Sequence, residues 1–382
     1  MSRAINYQEL GSLVRAKGAA QTVNHLREAI DQRQLSPSDF SLRELAENLI
    51  PDGREYVNRC NPKKSGGMTL AESNAVRTTD FSNITGQIVY SAVLEGFNNP
   101  SFIGDALCTT IQTSFSGEKI PGIGGIGDEA EVVDEGQPYP TVGVNEDYIE
   151  TAKTVKRGMI LPITREAIFF DRTGLLLRRA GEVGYYLGVN REKRILQAAL
   201  GVTNNYKWKG TSYNTYQGST PWINSQSNTL TDYTDIEAAE LLFDGMTDPN
   251  TGEPIMVTPT SLVVPTALKH TAMRILNAVQ VQQVDNQANA STFRTLSPNP
   301  VGGSNYAILS NQYVKSITSS SSTWFFGDPK RAIAYMQNWP ITVSQAADNS
   351  EAEFTQDIVV RYKASEMGVA QVVEPRAMTK NT

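Results

Sequence analysis

Histidine and cysteine are almost absent from this chain. Its 382 residues hold two of each, His25 and His270, Cys60 and Cys108. A hydrolase built on imidazole chemistry would have to rest on one of those two histidines. Two cysteines far apart in unlike surroundings support neither a disulfide framework nor a zinc site, and they read as reduced thiols. An excess of positive charge is missing too: 34 Lys and Arg against 40 Asp and Glu leave a net charge of −6. That balance excludes a generic nucleic-acid binder, which needs clustered cations to neutralise phosphates. No window approaches the run of about 18 apolar residues that a membrane span requires. The first residues also lack the apolar stretch of a secretory signal. There is no G-x-S-x-G elbow, no P-loop, no H-E-x-x-H and no repeat of fixed period. What is present is a well-mixed globular composition, 40% hydrophobic and 19% charged, long enough for two or three packed units.

Leu10, Leu13 and Val14, then Val23, Leu26 and Ile30, recur at helical spacing. Ser41 and Glu44 form a capping box that opens a short helix ending near Pro51. Residues 52–68 are polar and read as a loop or arm. A stronger helix is predicted over about 80–97, with Asp80 as cap and Ile84, Ile88, Val93, Leu94 and Phe97 on one face. Residues 119–160 differ in kind: glycines, prolines and the acidic run Asp128, Glu129, Glu131, Asp134 and Glu135 describe a long two-stranded excursion with a turn-rich tip. Residues 172–200 predict one long helix. Its glycines weaken it as a straight rod and suggest a close crossing at Gly184 and Gly188. Residues 202–235 read as loop-heavy. A mixed unit then follows: a helix over 235–246, a buried strand ending at Pro265, an amphipathic helix to Leu276, strands around Asp328-Pro329, and two strand-like runs between Asp357 and Val373.

Gly122, Gly124 and Gly127 satisfy G-x-G-x-x-G, with Glu146 and Asp147 about 20 residues on, at the spacing of a dinucleotide fingerprint. The mechanism needs a helix N-terminus after the third glycine. Five carboxylates and then Pro138 and Pro140 follow instead, which repel a pyrophosphate and forbid the helix. A flexible loop is the better reading. The acids lack the spacing of a calcium loop, and Asp248 to Glu253 reads as a turn between helix and strand. Arg178, Arg179, Arg191, Lys193 and Arg194 lie on the long helix with Glu182 and Glu192, where ion pairing on a solvated or subunit-facing side is expected and a contact with nucleic acid is the rival. No catalytic, cofactor or metal constellation emerges, and no enzyme is expected.

The order of these parts resembles the major capsid proteins of tailed bacteriophages, with the shell fold sometimes called the Johnson fold and shared with encapsulins and the herpesvirus capsid floor. Thr78–Tyr90 with Gly96 and Phe97 is similar to the family's entry from arm to core. Glu131–Tyr139 followed by Lys153–Ile168 resembles its extended loop and return strand. The helix from about Arg172 resembles its spine helix, and Pro259–Leu268 its axial strand-to-helix entry. The resemblance implies an α+β fold: an N-terminal arm (1–79), an extended two-stranded loop (119–160), a peripheral domain with the long spine helix (80–118, 161–232 and 350–382) and an axial domain (233–349).

It further implies a major head protein that forms hexamers and pentamers of an icosahedral shell around double-stranded DNA. Portal and scaffolding proteins would be partners, the DNA would lie inside without sequence specificity, and decoration proteins stay open. The site would be the virion capsid, assembled in the host bacterial cytoplasm, with no membrane partner. An encapsulin-type compartment shell is the alternative. Gly122, Gly124, Gly127, Glu135, Tyr139, Lys153, Lys156, Arg157, Arg178 and Arg179 are the candidates for subunit contact. The stretch before Asp80 is too short for the maturation protease that some relatives carry, and no cleaved N-terminal segment is expected. Some relatives join subunits by a Lys–Asn isopeptide bond; Asp357–Val373 contains no Asn, so a noncovalent shell is expected.

Overall fold

In the computed structural model the described residues are 88–122, 132–137, 139, 147–170, 175–286, 292–346 and 358–382, with Ser12, Ala16, Ser41, Arg43, Glu47, Arg54, Val57, Asn58 and Gly86 before them. Most of the expected N-terminal arm, Gly124, Gly127 and the acids Asp128, Glu129 and Glu131 lie outside them. The chain divides into two units. One comprises Met1–Pro100, Lys156–Asn190 and Trp339–Met367; the other comprises Ser101–Val155, Arg191–Asn338 and Gly368–Thr382.

In the first unit, residues 88–97 are helical, and Ile88, Val89, Ala92, Val93 and Phe97 bury one face at the expected spacing. They meet the first half of the long helix Leu175–Ala199, where Leu177, Ala180 and Leu187 are buried. Glycine makes this contact possible. A methyl group at Gly184 would land on the Val93 carbonyl oxygen, and one at Gly96 on the Gly181 carbonyl. The expected crossing therefore exists at Gly184, and Gly96 and Gly181 complete it. The strand Val155–Thr164 lies at the end of its sheet, beside Ile358–Val372, which in turn neighbours Ile333–Gln345. Only its buried Ile163 enters the core.

The second unit is organised on a five-stranded sheet in the order Ala307–Ser310, Ser261–Val264, Trp324–Gly327, Met378–Asn381, Ser225–Gln226. Ser261–Val264 is buried at every position because it runs parallel to Ala307–Ser310 on one side and antiparallel to Trp324–Gly327 on the other. Trp324, Phe325 and Phe326 are fully buried, and the Trp324 indole donates to the Asn228 carbonyl at 2.8 Å. The helix Tyr233–Asp244 opens on a reciprocal capping box between Asp232 and Asp235 and packs Phe243 near Phe326. Lys269–Asn277 and Gln312–Thr318 are further helices, the latter capped by Asn311.

Three differences from the sequence reading stand out. Residues 202–235 hold five short strands, among them a hairpin, Tyr206–Trp208 with Thr211–Tyr213, whose two turn residues Lys209 and Gly210 both have positive φ. The run from Asp357 is one strand, Ile358–Val372, and a further strand, Met378–Asn381, closes the chain into the sheet. A hairpin of Gln280–Asn286 with Thr292–Pro298, absent from the sequence reading, follows the helix that ends at Asn277. The Asp248 turn is as expected: its carboxylate accepts from the Asn250 and Thr251 amides, and Gly252 takes φ 76°.

Several buried polar groups in this unit are satisfied in detail, although the Thr215 hydroxyl and the Trp222 indole find no partner among the described residues. The Asn224 amide nitrogen donates to the carbonyls of Thr215, Pro375 and Met378, and its oxygen accepts from the Gln217 amide. Glu374 and Arg376 form a buried bidentate pair, and Arg376 also donates to the Thr247 carbonyl.

The helix crossing yields a contrast between neighbouring glycines. Gly184→Ala should lower stability by about 1–3 kcal/mol through overpacking against the Val93 carbonyl. Gly181→Ala meets only the Ala92 carbonyl, at 3.7 Å, and should be neutral or stabilising by up to about 1 kcal/mol. Thermal melts of the two variants check this, and equal losses would refute the close-packing account.

Candidate assembly surfaces

The loop that carries most of the candidate residues has a built base. Lys119–Pro121 pairs antiparallel with Tyr148–Glu150, which continues into Tyr206–Trp208 and Thr211–Tyr213. The Gly122 amide donates to the Asp147 carbonyl at 2.9 Å, and the Trp208 indole donates to the Asp147 carboxylate. Lys207 pairs with Glu150, holding that carboxyl below its usual range, and the Lys119 ammonium sits 4.0 Å from the Tyr148 ring centre. The outgoing strand therefore returns at Tyr148–Glu150. Val155–Thr164, expected as the return, is a strand of a different sheet.

Gly122 answers the dinucleotide motif directly. A Cβ there would strike the Asp147 carboxylate, so the glycine makes room for an anion belonging to the protein. A pyrophosphate would meet like charge at that point.

Beyond the base, the described tip residues are bare. Val132 is 97% exposed and Tyr139 83% exposed. Asp134 and Glu135 are exposed at a turn in which the Gln137 amide donates to the Asp134 carbonyl and Gly136 takes φ 86°. Large apolar groups this open mark a surface that something else covers.

A second bare surface is the strand Val155–Thr164. Met159 is 41% and Ile160 61% exposed, and these neighbours point to opposite faces of the strand. Lys156 is exposed, with its ammonium 5.7 Å from the Trp339 ring centre; Arg157 is half-buried and Lys153 exposed. On the opposite edge of the same strand, Gly158 leaves space for the Ala364 carbonyl.

The cations of the long helix separate into two groups. Arg178 and Arg179 are exposed. Arg191 pairs with Asp105 at 2.8 Å and lies 4.8 Å from the Tyr335 ring centre, and Arg194 donates to the Tyr335 hydroxyl and the Gly368 carbonyl. The Lys193 ammonium is 5.0 Å from the Tyr313 ring centre. The expected ion pairing with Glu192 is not found among the described residues. Glu192 is only 2% exposed and accepts from the Ile103 amide (2.9 Å), the Gly104 amide (2.7 Å) and the Asn311 side chain (3.1 Å). Burial raises its pKa above the usual carboxylate range; the three donors oppose that shift and nearby Asp105 adds to it.

The chemistry available elsewhere is sparse. The Cys108 thiol is buried and pushed up to about 12, mainly by desolvation, which makes it a poor nucleophile. His270 is exposed on its helix. Among the described residues no three His, Cys, Asp or Glu side chains gather as a metal site, and no helix is long and apolar enough to cross a membrane.

Glu192→Gln should cost about 1–3 kcal/mol, because one amide oxygen cannot replace two carboxylate oxygens that face three N–H donors. The sign with pH is fixed by the raised pKa. The folded state holds the proton more tightly than the unfolded chain does. Glu192's contribution to stability is therefore full below the ordinary carboxylate pKa and lost as pH rises through the elevated value. Denaturant melts across this window should show that loss in the wild type and not in Glu192→Gln; parallel pH profiles would contradict it.

No curated protein matches the sequence. Among solved structures, the chain is similar to the capsid of a native GTA particle, at 9% identity and TM-score 0.44 over 74% of this chain and 90% of that one. It is similar to a chain of Mycobacterium phage Bobi at 10% identity and TM-score 0.43, over 74% and 90% of the two chains. A virus-like particle from Pyrococcus furiosus matches at 10% identity and TM-score 0.42, over 77% and 98%. A family model described as phage capsid protein matches residues 148–381, more than half of the chain, from the loop base through the long helix to the closing strand. The chain belongs to the phage capsid protein family.

Proposed function

We propose that this capsid protein is the major head subunit, and that it closes an icosahedral shell of hexamers and pentamers around double-stranded DNA. The observation that carries the reading is the combination of the family match over residues 148–381 with two bare apolar surfaces, the tip around Val132 and Tyr139 and the strand with Met159 and Ile160. A subunit whose single copy leaves such groups in water is built to have them covered by other copies.

In this reading residues 1–79 serve as the arm, 119–160 as the extended loop, 233–349 as the axial domain, and 80–118, 161–232 and 350–382 as the peripheral domain. The loop of one subunit lies over its neighbour, with Gly122, Gly124, Gly127, Glu135, Tyr139, Lys153, Lys156, Arg157, Arg178 and Arg179 as contact residues. The net charge of −6 suits an interior that does not hold DNA fast, since strong cationic lining would hinder its movement. Portal and scaffolding proteins complete the particle, which forms in the host cytoplasm. The role is structural and no catalytic step is assigned.

Light scattering with electron microscopy of the same purified fraction tests this. Closed megadalton particles are expected, and internal density would separate packaged DNA from the protein cargo of an encapsulin-type shell. A stable monomer at 41.8 kDa would refute the reading. Because Asp357–Val373 offers no asparagine, particles boiled in detergent under reducing conditions should give one band at the monomer mass. A ladder of higher bands would show a covalent shell.

A further inference from the structure

A third bare surface belongs to the second unit and lies outside the loop. The strand Thr109–Gln112 ends its sheet, paired only with Ala334–Gln337 among the described residues. All four of its residues are exposed, Ile111 to 40%, and Phe115 just beyond is 66% exposed. The pairing is parallel, and the Thr113 amide continues it by donating to the Gln337 carbonyl at 2.9 Å. Backbone groups alternate in direction along a strand, so those of Thr109, Ile111 and Thr113 face Ala334–Gln337. Thr110 and Gln112 turn their N–H and C=O groups to the open edge, where no backbone partner is found among the described residues.

Proteins that stay monomeric usually protect an edge strand with charge or proline. This edge has neither: Ala106–Gly117 contains no charged residue and no proline, and its threonines, Ile111 and Phe115 favour extended pairing. In a contact across a two-fold axis a segment meets a copy of itself, so a charge would lie near its own counterpart. An uncharged edge avoids that repulsion. The open groups are also symmetric, one residue to either side of Ile111, so an antiparallel second copy sets each Thr110 opposite the other's Gln112. We propose that Thr109–Gln112 pairs antiparallel with Thr109–Gln112 of a second copy across a two-fold axis at Ile111. Thr110 of each copy exchanges backbone hydrogen bonds with Gln112 of the other, about four bonds in all, and the two Ile111 side chains cover each other. The strand is short, which confines pairing to this one closed exchange and leaves no ladder to extend. The inference rests on the capsid reading and deepens it by naming a two-fold contact between copies.

Cysteine trapping in assembled particles tests the register. In this pairing the two Ile111 Cα atoms come within about 4.5 Å, inside disulfide range, whereas each Thr110 lies beyond about 7 Å from its counterpart. Oxidised particles of Ile111→Cys should therefore give a non-reducing band at twice the monomer mass of 41.8 kDa. That band should be at least about fivefold stronger than the one from Thr110→Cys. Wild type, whose Cys108 is buried, sets the background. Thr110→Pro and Gln112→Pro each delete an outward N–H and spare the bonds to Ala334–Gln337. Each soluble subunit should stay folded by circular dichroism while particle yield falls about tenfold.

Particles in which Ile111→Cys links no better than Thr110→Cys, or proline variants that assemble like wild type, would overturn the contact while leaving the capsid reading intact. A band joining Ile111→Cys to a different polypeptide would also overturn it, by giving the edge to another protein. Wild-type protein that makes no particles at all would overturn the capsid reading and this contact with it.

Discussion

Glu192 sets the local geometry of the second unit. A carboxylate that is almost fully buried would be costly alone, yet it accepts two backbone N–H groups from Ile103 and Gly104 and one from the side chain of Asn311. Those three donors belong to two separate stretches of chain, 103–104 and Asn311. The segment after residue 100 enters the unit there, the long helix supplies the anion, and Asn311 caps the helix Gln312–Thr318 through its other side-chain atom. Gly104 must be glycine, because a Cβ would meet the carboxylate at 2.5 Å. Once the anion is fixed, Arg191 next to it can pair with Asp105 and lie over Tyr335, so helix, entry segment and central strand are positioned together.

Paired buried polar groups recur elsewhere in the second unit. Asn224, Gln371 and the Glu374–Arg376 pair are buried and satisfied. At the loop base, Asp147 is held by Trp208, and Gly122 stands close against it. A few residues beyond, Val132 and Tyr139 lie open. In the first unit, the Gly96 and Gly184 contacts bring two helices together closely, while Val155–Thr164 keeps apolar side chains in water. Packing that stabilises one copy and surface that waits for another are thus assigned to different segments, as a self-assembling shell subunit requires.

Residue types alone named several candidates for the proposed contact surface. The acidic run, the exposed aromatic at Tyr139 and the cations Lys153, Lys156 and Arg157 were all named from the sequence, and each described member is exposed or half-buried at the surface. Met159 and Ile160 were passed over because alternating apolar residues in a strand normally mean a buried face. Their exposure depends on what covers the two faces of the strand, which no local pattern reports. Glu192 was misread for a related reason. Among arginines on a helix it looks like an ion-pair partner, and only the approach of Ile103 and Asn311, distant in sequence, turns it into an acceptor of N–H groups.

By itself the sequence determined the elements whose signals are local. The apolar run Ser261–Val264 before Pro265, the periodic helix Lys269–Asn277, the long helix and the Asp248 turn follow from spacing, capping and φ preference within a few residues. The tertiary structure alone decided the short strands of 206–226, the closing strand Met378–Asn381, the fate of Glu192 and which strand edge stays open. Tyr206–Trp208 is held by Tyr148–Glu150, and Ser225–Gln226 by Lys380 and Asn381. Strands of two or three residues have no stability of their own, so their hydrogen-bond partners must first be brought from far along the chain. That selection is a property of the folded whole, because an N–H group binds whichever acceptor the surrounding packing places within reach.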